Sequence, residues 1–180
     1  MISLSLTLNG YKVKNGERGE WKLKHQTNKR LLVTGSFLLG FGFMGAMDGI
    51  IFHQLLQWHS VVMEATRTDQ IISDGVFHFS VTIALVAGGF ILWLAGNPTT
   101  QKQGIKLIFS WFLIGTGLFN LIEGIINHHI LQIHRVKPGD PNALLYDIAF
   151  LIVGAILFLI GLFIKKSVTT SHKSGEDIDV

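Results

Sequence analysis

The fold follows from residues 31–61, which read LLVTGSFLLGFGFMGAMDGIIFHQLLQWHSV. Residues 31–47 carry no charge and are rich in glycine and phenylalanine, a composition typical of helices that pack in lipid. Residues 48–61 instead place an acid, two histidines and two glutamines directly after this apolar run. An apolar run that ends in ionisable side chains indicates a membrane helix with a polar site at one end.

The composition of the whole chain agrees with this interpretation. Of 180 residues, 48% are hydrophobic and only 15% are charged, and the mean hydropathy is +0.43. A span needs about 20 residues, and four uncharged runs reach or approach this length. Lipid offers no partners to backbone groups and the runs lack strand-like alternation, so we predict an all-α bundle of four transmembrane helices. The four runs are 31–47, 79–101, 107–122 and 148–164.

The polar motif after the first run occurs twice. Residues 123–136 read EGIINHHILQIHRV and share with 48–61 the pattern acid-Gly-Ile-Ile-x-His-x-x-Leu-Gln-x-His-x-Val, at an offset of 75. Each copy continues into a second span that opens with an acid, Asp74 or Asp147. We therefore predict two tandem, parallel helical-hairpin repeats with a site at their interface.

The charged residues divide the chain into segments and orient it. Twelve lysines and arginines lie in the two ends of the chain and in the connection between spans two and three, against three in the other two connections. The positive-inside rule therefore puts both termini in the cytoplasm. Alternation over residues 2–13 around Asn9-Gly10 suits either a small hairpin or a mobile leader. The predicted segments are a basic leader at 1–30, a membrane domain at 31–165 with repeats at about 31–96 and 105–165, and a disordered tail at 166–180.

Ionisable residues collect at one level of the predicted bundle. Asp48 lies 17 residues after Arg30, and Glu123 lies 17 after Lys106, which at about 1.5 Å per residue puts both acids roughly 25 Å up the spans, near the extracytoplasmic face. Charged groups in lipid are costly, so such residues are candidates for a functional site. The candidate metal ligands are His53, His128, Asp74, His78, Glu123, Asp48, Asp147, His134 and His59.

Helical spacing limits how these side chains can converge. Asp74 and His78 are four residues apart and share a helix face, whereas His53 is turned by about 140° from Asp48 on a straight helix. Either the helices are distorted beside the glycine of each motif, or the second histidine of each motif lies in the outer loop and folds back over the site. We favour the second arrangement.

Imidazole and carboxylate ligands suit zinc, iron, manganese or cupric copper, and the absence of cysteine excludes thiolate sites. We expect a transition-metal site, with metal-dependent hydrolysis or redox chemistry as the activities it would support. A b-type haem held by two histidines is an alternative. A further alternative is a non-catalytic respiratory or metal-handling component with a proton-relay network. The basic residues flank apolar spans, which favours a lipid bilayer over nucleic acid as the partner; a homo-oligomer stays open.

Several segments of the chain resemble a bacterial integral-membrane family catalogued as domain of unknown function 2243. They are MDGIIFHQLLQWH (47–59), SDGVFHF (73–79), GLFNLIEGIINHHILQIHRV (117–136) and YDIAFLIVGAILFLIG (146–161). The resemblance covers residues 31–165 and implies a multi-pass protein of the bacterial cell membrane, in respiratory-oxidase or copper-handling contexts. In the family pattern a second histidine often follows each loop histidine; here those positions hold Ser60 and Arg135.

Overall fold

The computed structural model of the chain describes residues 10–15, 20–25, 27–100 and 103–176. Four of its helices are long and apolar enough to cross a membrane, which confirms the predicted all-α bundle. They are α1 (Lys29–Asp48), α2 (Arg67–Ala95), α3 (Gly104–Glu123) and α4 (Ala143–Glu176). Two π-helical segments, Gly49–Leu55 and Gly124–Ile130, continue α1 and α3, and a short 3₁₀ turn, Pro98–Thr100, precedes α3.

Side chains at the helix starts define where two of the spans begin. The Asn28 side chain accepts hydrogen bonds from the backbone N–H groups of Arg30 and Leu31, which starts α1. The Thr66 hydroxyl accepts one from the Asp69 N–H and starts α2. Both caps satisfy N–H groups that the first helical turn leaves without partners.

A small hairpin precedes the bundle. Strand β1 (Gly10–Asn15) pairs antiparallel with β2 (Glu20–His25), with Gly10 opposite His25. The Asn9-Gly10 pair is therefore not the turn of this hairpin, because Gly10 opens its first strand. The alternation that suggested a hairpin continues through both strands, and residues 2–9 lie outside the described part of the chain.

Helix α4 differs from the sequence interpretation at its end. It continues through Glu176, whereas residues 166–180 were expected to be disordered. The hydroxyls of Thr169 and Thr170 each donate at 3.0 Å to the carbonyl four residues earlier, and adding residues to a formed helix costs far less than starting one. Residues 166–176 are thus helical, and residues 177–180 lie outside the described residues.

Helices α1 and α3 contact each other through their backbones. A Cβ atom at Gly40 would overlap the carbonyl oxygen of Phe112, and one at Gly115 would overlap the carbonyl oxygen of Phe37. Small residues allow this close approach between helices in lipid. The two contacts are equivalent: Gly115 lies 75 residues after Gly40, and Phe112 lies 75 residues after Phe37. The same offset relates the two polar motifs. The contact holds the two motif-bearing helices side by side.

Candidate metal centre

The two π segments bring each motif acid onto the same side as the first motif histidine. In the first segment the Leu56 N–H donates to the Ile51 carbonyl, five residues back, at 2.8 Å. A wider turn brings residues five apart together, whereas an α-helix separates them by about 140°. As a result His53 Nε2 lies 3.3 Å from Asp48 Oδ2. The second segment has the matching bond, from Leu131 N–H to the Ile126 carbonyl at 2.7 Å.

The second histidine of each motif lies in a loop after the helix ends. His59 belongs to the 56–66 loop and His134 to the 131–142 loop, and both rings are buried. Gln57 and Gln132 take positive φ angles of 49° and 51°, so the chain turns sharply just before each histidine. Helix distortion and loop return, which the sequence offered as alternatives, therefore occur together.

Three buried side chains from each motif form a compact group. The first group is Asp48, His53 and His59; the second group is Glu123, His128 and His134. Within each group the ligand atoms all lie within 4.8 Å of one another. All six side chains are buried, with between 1% and 6% of each residue exposed. In the second group His134 Nε2 lies 3.6 Å from Glu123 Oε1.

The two groups touch at the loop histidines. The rings of His59 and His134 stack with centroids 4.6 Å apart and planes 11° from parallel. His53 lies 4.5 Å from His59, and His128 lies 5.0 Å from His134, again between ring centroids. The four imidazoles thus form one compact cluster, with Asp48 beside His53 and Glu123 beside His134.

Each loop histidine is oriented by the opposite loop. His59 Nδ1 bonds to the Val136 carbonyl at 2.8 Å, and His134 Nδ1 bonds to the Val61 carbonyl at 3.0 Å. A carbonyl oxygen only accepts, so each Nδ1 must carry the hydrogen, and in the neutral ring Nε2 keeps a free lone pair. Neither Nε2 atom has a hydrogen-bond partner in the described structure. The crossed bonds thus leave two nitrogens available as ligands.

Two further acids lie beside the first motif histidines, and of the two only Asp74 is within hydrogen-bond distance of its histidine. Asp74 Oδ1 accepts from the Val61 N–H at 2.8 Å and lies 3.0 Å from His53 Nδ1. Asp147 Oδ1 accepts from the Val136 N–H at 2.9 Å and lies 3.6 Å from His128 Nδ1. The carboxylates thus face Nδ1, which directs the Nε2 atoms away from them. Metal-binding histidines in proteins commonly have such carboxylate partners.

His78 is the candidate that the structure places apart. It is four residues from Asp74 on α2, but its Nε2 lies 3.1 Å from the Gln54 side-chain nitrogen, and the ring is partly exposed. It belongs to neither group. Asp74 and His78 share a helix face, but their side chains contact different partners: Asp74 contacts His53, and His78 contacts Gln54.

Sequence reasoning missed the partners that act through the backbone or lie outside the motifs. The carbonyls of Val61 and Val136 were not candidates, although valine is the last matched residue of both motifs. Arg135, whose guanidinium donates to Asp147 Oδ2 at 3.1 Å, has no counterpart in the first motif. Asn120, which is 1% exposed, carried no signal other than being polar within a span.

The electrostatics of the site favour a bound cation. Four carboxylates surround the imidazoles, and in the described part of the chain Arg135 is the one permanent cation paired with them. Burial, reinforced by the neighbouring His134 ring, lowers the pKa of the His59 imidazole to about 4, so this ring is neutral at physiological pH. Four buried or half-buried carboxylates beside a single arginine leave an excess of acidic groups, whose ionisation in a buried position is costly without a further cation.

Comparison with known proteins supports the membrane assignment. A family model described as "Predicted membrane protein (DUF2243)" matches residues 35–168, which include all of α2 and α3, most of α1 and α4, and both groups. No curated protein and no solved structure matches the chain.

Proposed function

The chain belongs to the DUF2243 family of predicted membrane proteins, and we propose that it is a membrane metalloprotein whose first and second groups each bind a divalent transition-metal ion. We further propose that it lies in a bacterial cell membrane, with both termini in the cytoplasm and the two groups near the extracytoplasmic face; the positive-inside pattern and the resemblance to bacterial proteins support this. The tandem repeat is part of this proposal, because the two groups match at an offset of 75.

The observation that carries the proposal is the set of free ligand atoms. The Nε2 atoms of all four clustered histidines, together with Asp48 Oδ2 and Glu123 Oε2, are buried without a hydrogen-bond partner in the described structure. Buried polar atoms are rarely left so, since each one costs free energy. A metal ion in each group would satisfy these atoms together.

The spacing of the ligand atoms suits a small metal ion. Metal bonds of about 2.0–2.1 Å in a tetrahedron place two ligand atoms roughly 3.3 Å apart. The separation between His53 Nε2 and Asp48 Oδ2 is 3.3 Å, and that between His134 Nε2 and Glu123 Oε1 is 3.6 Å. Two divalent ions would also place positive charge beside the four carboxylates, which lowers the cost of burying them.

Three protein ligands for each ion leave a coordination position for water or substrate. This is the ligand count of catalytic rather than structural sites. Nitrogen and oxygen ligands suit zinc, iron, manganese and cupric copper, so the chain supports metal-dependent hydrolysis or redox chemistry according to the ion it holds. A haem is less suited, because the stacked rings of His59 and His134 leave no flat slot between them.

One observation favours a second candidate, a proton-relay network. His53 lies between two carboxylates, with Nε2 3.3 Å from Asp48 and Nδ1 3.0 Å from Asp74. A protonated His53 would bond to both acids at once, as in a chain of titratable groups that passes protons. This arrangement uses His53 but gives no role to the free Nε2 atoms of the two loop histidines.

Metal analysis of purified variants tests the proposal. We expect about two ions per wild-type chain and about one after either His53→Ala or His128→Ala, because each removes a ligand from one group only. His25→Ala, in strand β2, is the matched control and should keep the wild-type content. Equal metal content in all three folded variants would contradict the assignment, and a folded wild-type protein without metal would favour the proton-relay network.

A further inference from the structure

A cavity of about 300 Å³ lies beside the first group, between α1 and α4. Its lining is mainly apolar and includes Met44, Phe52, Phe150 and Val153. Asp48 and Asn120 line it with buried polar side chains, and Trp58 and Tyr146 line it with aromatic rings that each carry a polar atom. The volume is at the lower end of the range for small-molecule sites, and an apolar wall with a few convergent polar groups is typical of them.

Asn120 is the polar group of the cavity that nothing else in the site uses. Its residue is 1% exposed, and neither its amide oxygen nor its amide nitrogen has a hydrogen-bond partner in the described structure. A buried amide without partners is costly, and an apolar side chain would avoid that cost. The amide is therefore positioned to bond to something that enters the cavity.

The fold does not require an amide at this position. At an offset of 75, the residue matched to Asn120 is Gly45 on α1, where a Cβ atom would lie 2.5 Å from Val81 Cγ1. At the offset of 73 that relates α2 to α4, Val81 matches Gly154, where a Cβ atom would lie 2.7 Å from the Asn120 Cβ. Between α1 and α2, Gly45 thus faces Val81, whereas at the matched place between α3 and α4, Asn120 faces Gly154. The exchange makes room for the amide on the cavity side alone.

The cavity is reached from the lateral surface of the bundle. Helix α1 packs mainly against α2 and α3, and α4 packs mainly against α3, so a gap separates α1 from α4. Val153, on the rim, is 48% exposed, and Ala149 beside it is also exposed. In a chain that spans a membrane, this surface faces hydrocarbon. A ligand that enters here must be soluble in lipid.

The lining also limits the head group of that ligand. It contains no lysine or arginine, and the Asp48 carboxylate would repel an anion. Lys137 Nζ lies 5.1 Å from the Trp58 ring centroid, but its charge is paired with Asp140 at 2.8 Å. An amide both donates and accepts hydrogen bonds, which suits a hydroxyl or a carbonyl. We propose that the cavity binds a lipid-soluble molecule with a neutral hydroxyl or carbonyl head group, bonded to Asn120. This rests on the proposed function in one respect, because the head group then lies beside Asp48 as a metal ligand.

Photolabelling in liposomes tests this site. The probes are a long-chain alcohol and an alkane of equal length, each with a diazirine in the chain, and labelled residues are located by mass spectrometry. In the wild-type protein we expect the alcohol to label Met44 and Val153 more than the alkane does. Asn120→Leu should lower labelling by the alcohol roughly 2- to 12-fold, the value of one net hydrogen bond, and leave labelling by the alkane unchanged.

A second pair of variants tests occupancy by size. Ala149→Trp should block the cavity and abolish labelling there, whereas Val76→Trp, at the matched position on α2, should not. Equal labelling by the two probes, or unchanged labelling by the alcohol in both Asn120→Leu and Ala149→Trp, would overturn the proposal. Metal analysis of the same samples separates the two proposals. Metal without head-group-dependent labelling refutes the cavity site alone, and such labelling without metal supports the site and refutes the metal function.

Discussion

The substitution Asp74→Asn tests how the first group is held together. Asp74 Oδ1 lies 3.0 Å from His53 Nδ1 and accepts from the Val61 N–H at 2.8 Å. Asparagine keeps the size of the side chain and one acceptor oxygen, but it loses the negative charge that strengthens both bonds. The imidazole of His53 then becomes a weaker and less well oriented ligand.

The magnitude follows from the role of such carboxylates. Loss of a carboxylate that orients a metal-binding histidine typically lowers metal affinity 10- to 100-fold, which is about 1.4–2.7 kcal/mol. The second group should be affected less, because it is connected to Asp74 only through the backbone of Val61: the Val61 N–H bonds to Asp74, while the Val61 carbonyl accepts from His134 Nδ1. We therefore expect the metal affinity of the first group to fall strongly and that of the second group to fall slightly.

Competition with a fluorescent zinc chelator measures both affinities in detergent. The matched control is Asp69→Asn on the same helix, because Asp69 is exposed and its side chain bonds to the Thr66 hydroxyl at 2.7 Å, away from either group. The control should titrate like the wild-type protein. If Asp74→Asn and Asp69→Asn gave the same two affinities, Asp74 would not support a metal ligand and the reasoning would be refuted.

Three further predictions concern the ligands, the helix contact and pH. His78→Ala should keep the wild-type metal content while His53→Ala does not, since the His78 ring lies outside both groups; metal loss in both would contradict this. Gly40→Ala should lower the unfolding temperature in detergent well below that of Gly89→Ala, because a Cβ atom overlaps the α3 backbone at the first position and meets nothing within 4 Å at the second. The lowered pKa of His59 means that the unfolded chain binds more protons than the folded one between pH 6.5 and about 4, so the metal-free protein should lose stability as the pH falls through this range. Thermal unfolding at several pH values checks it, and a His59→Gln variant with an equally steep loss would refute it.

Much of the fold could be predicted because lipid leaves few options. Four apolar runs in a charge-poor chain permit helices and little else, and the structure has four such helices. The end of α4 was predicted less well, since residues 166–176 combine lysines with serines and threonines and look like a polar tail. Their helical conformation depends on continuation from the span before them, which composition does not report.

Most residues of the candidate site could be predicted from the sequence, but the contacts between them could not. The repeated acid and histidine positions include all six members of the two groups. On a regular α-helix the five-residue spacing of Asp48 and His53 points their side chains apart. Helix distortion was therefore only one of two predicted alternatives, and the π segment that brings the two together was not specified. The crossed bonds to the Val61 and Val136 carbonyls depend on how two loops meet, and a backbone acceptor leaves no trace in side-chain patterns.

X-ray absorption at the metal edge, on the protein purified in detergent with its metal content measured, shows whether the two groups bind metal ions. We expect about two ions per chain, each with nitrogen and oxygen ligands at about 2.0–2.2 Å, imidazole scattering from two histidines and no sulfur. A folded protein without stoichiometric metal, or one whose only metal is a haem iron, would contradict this expectation.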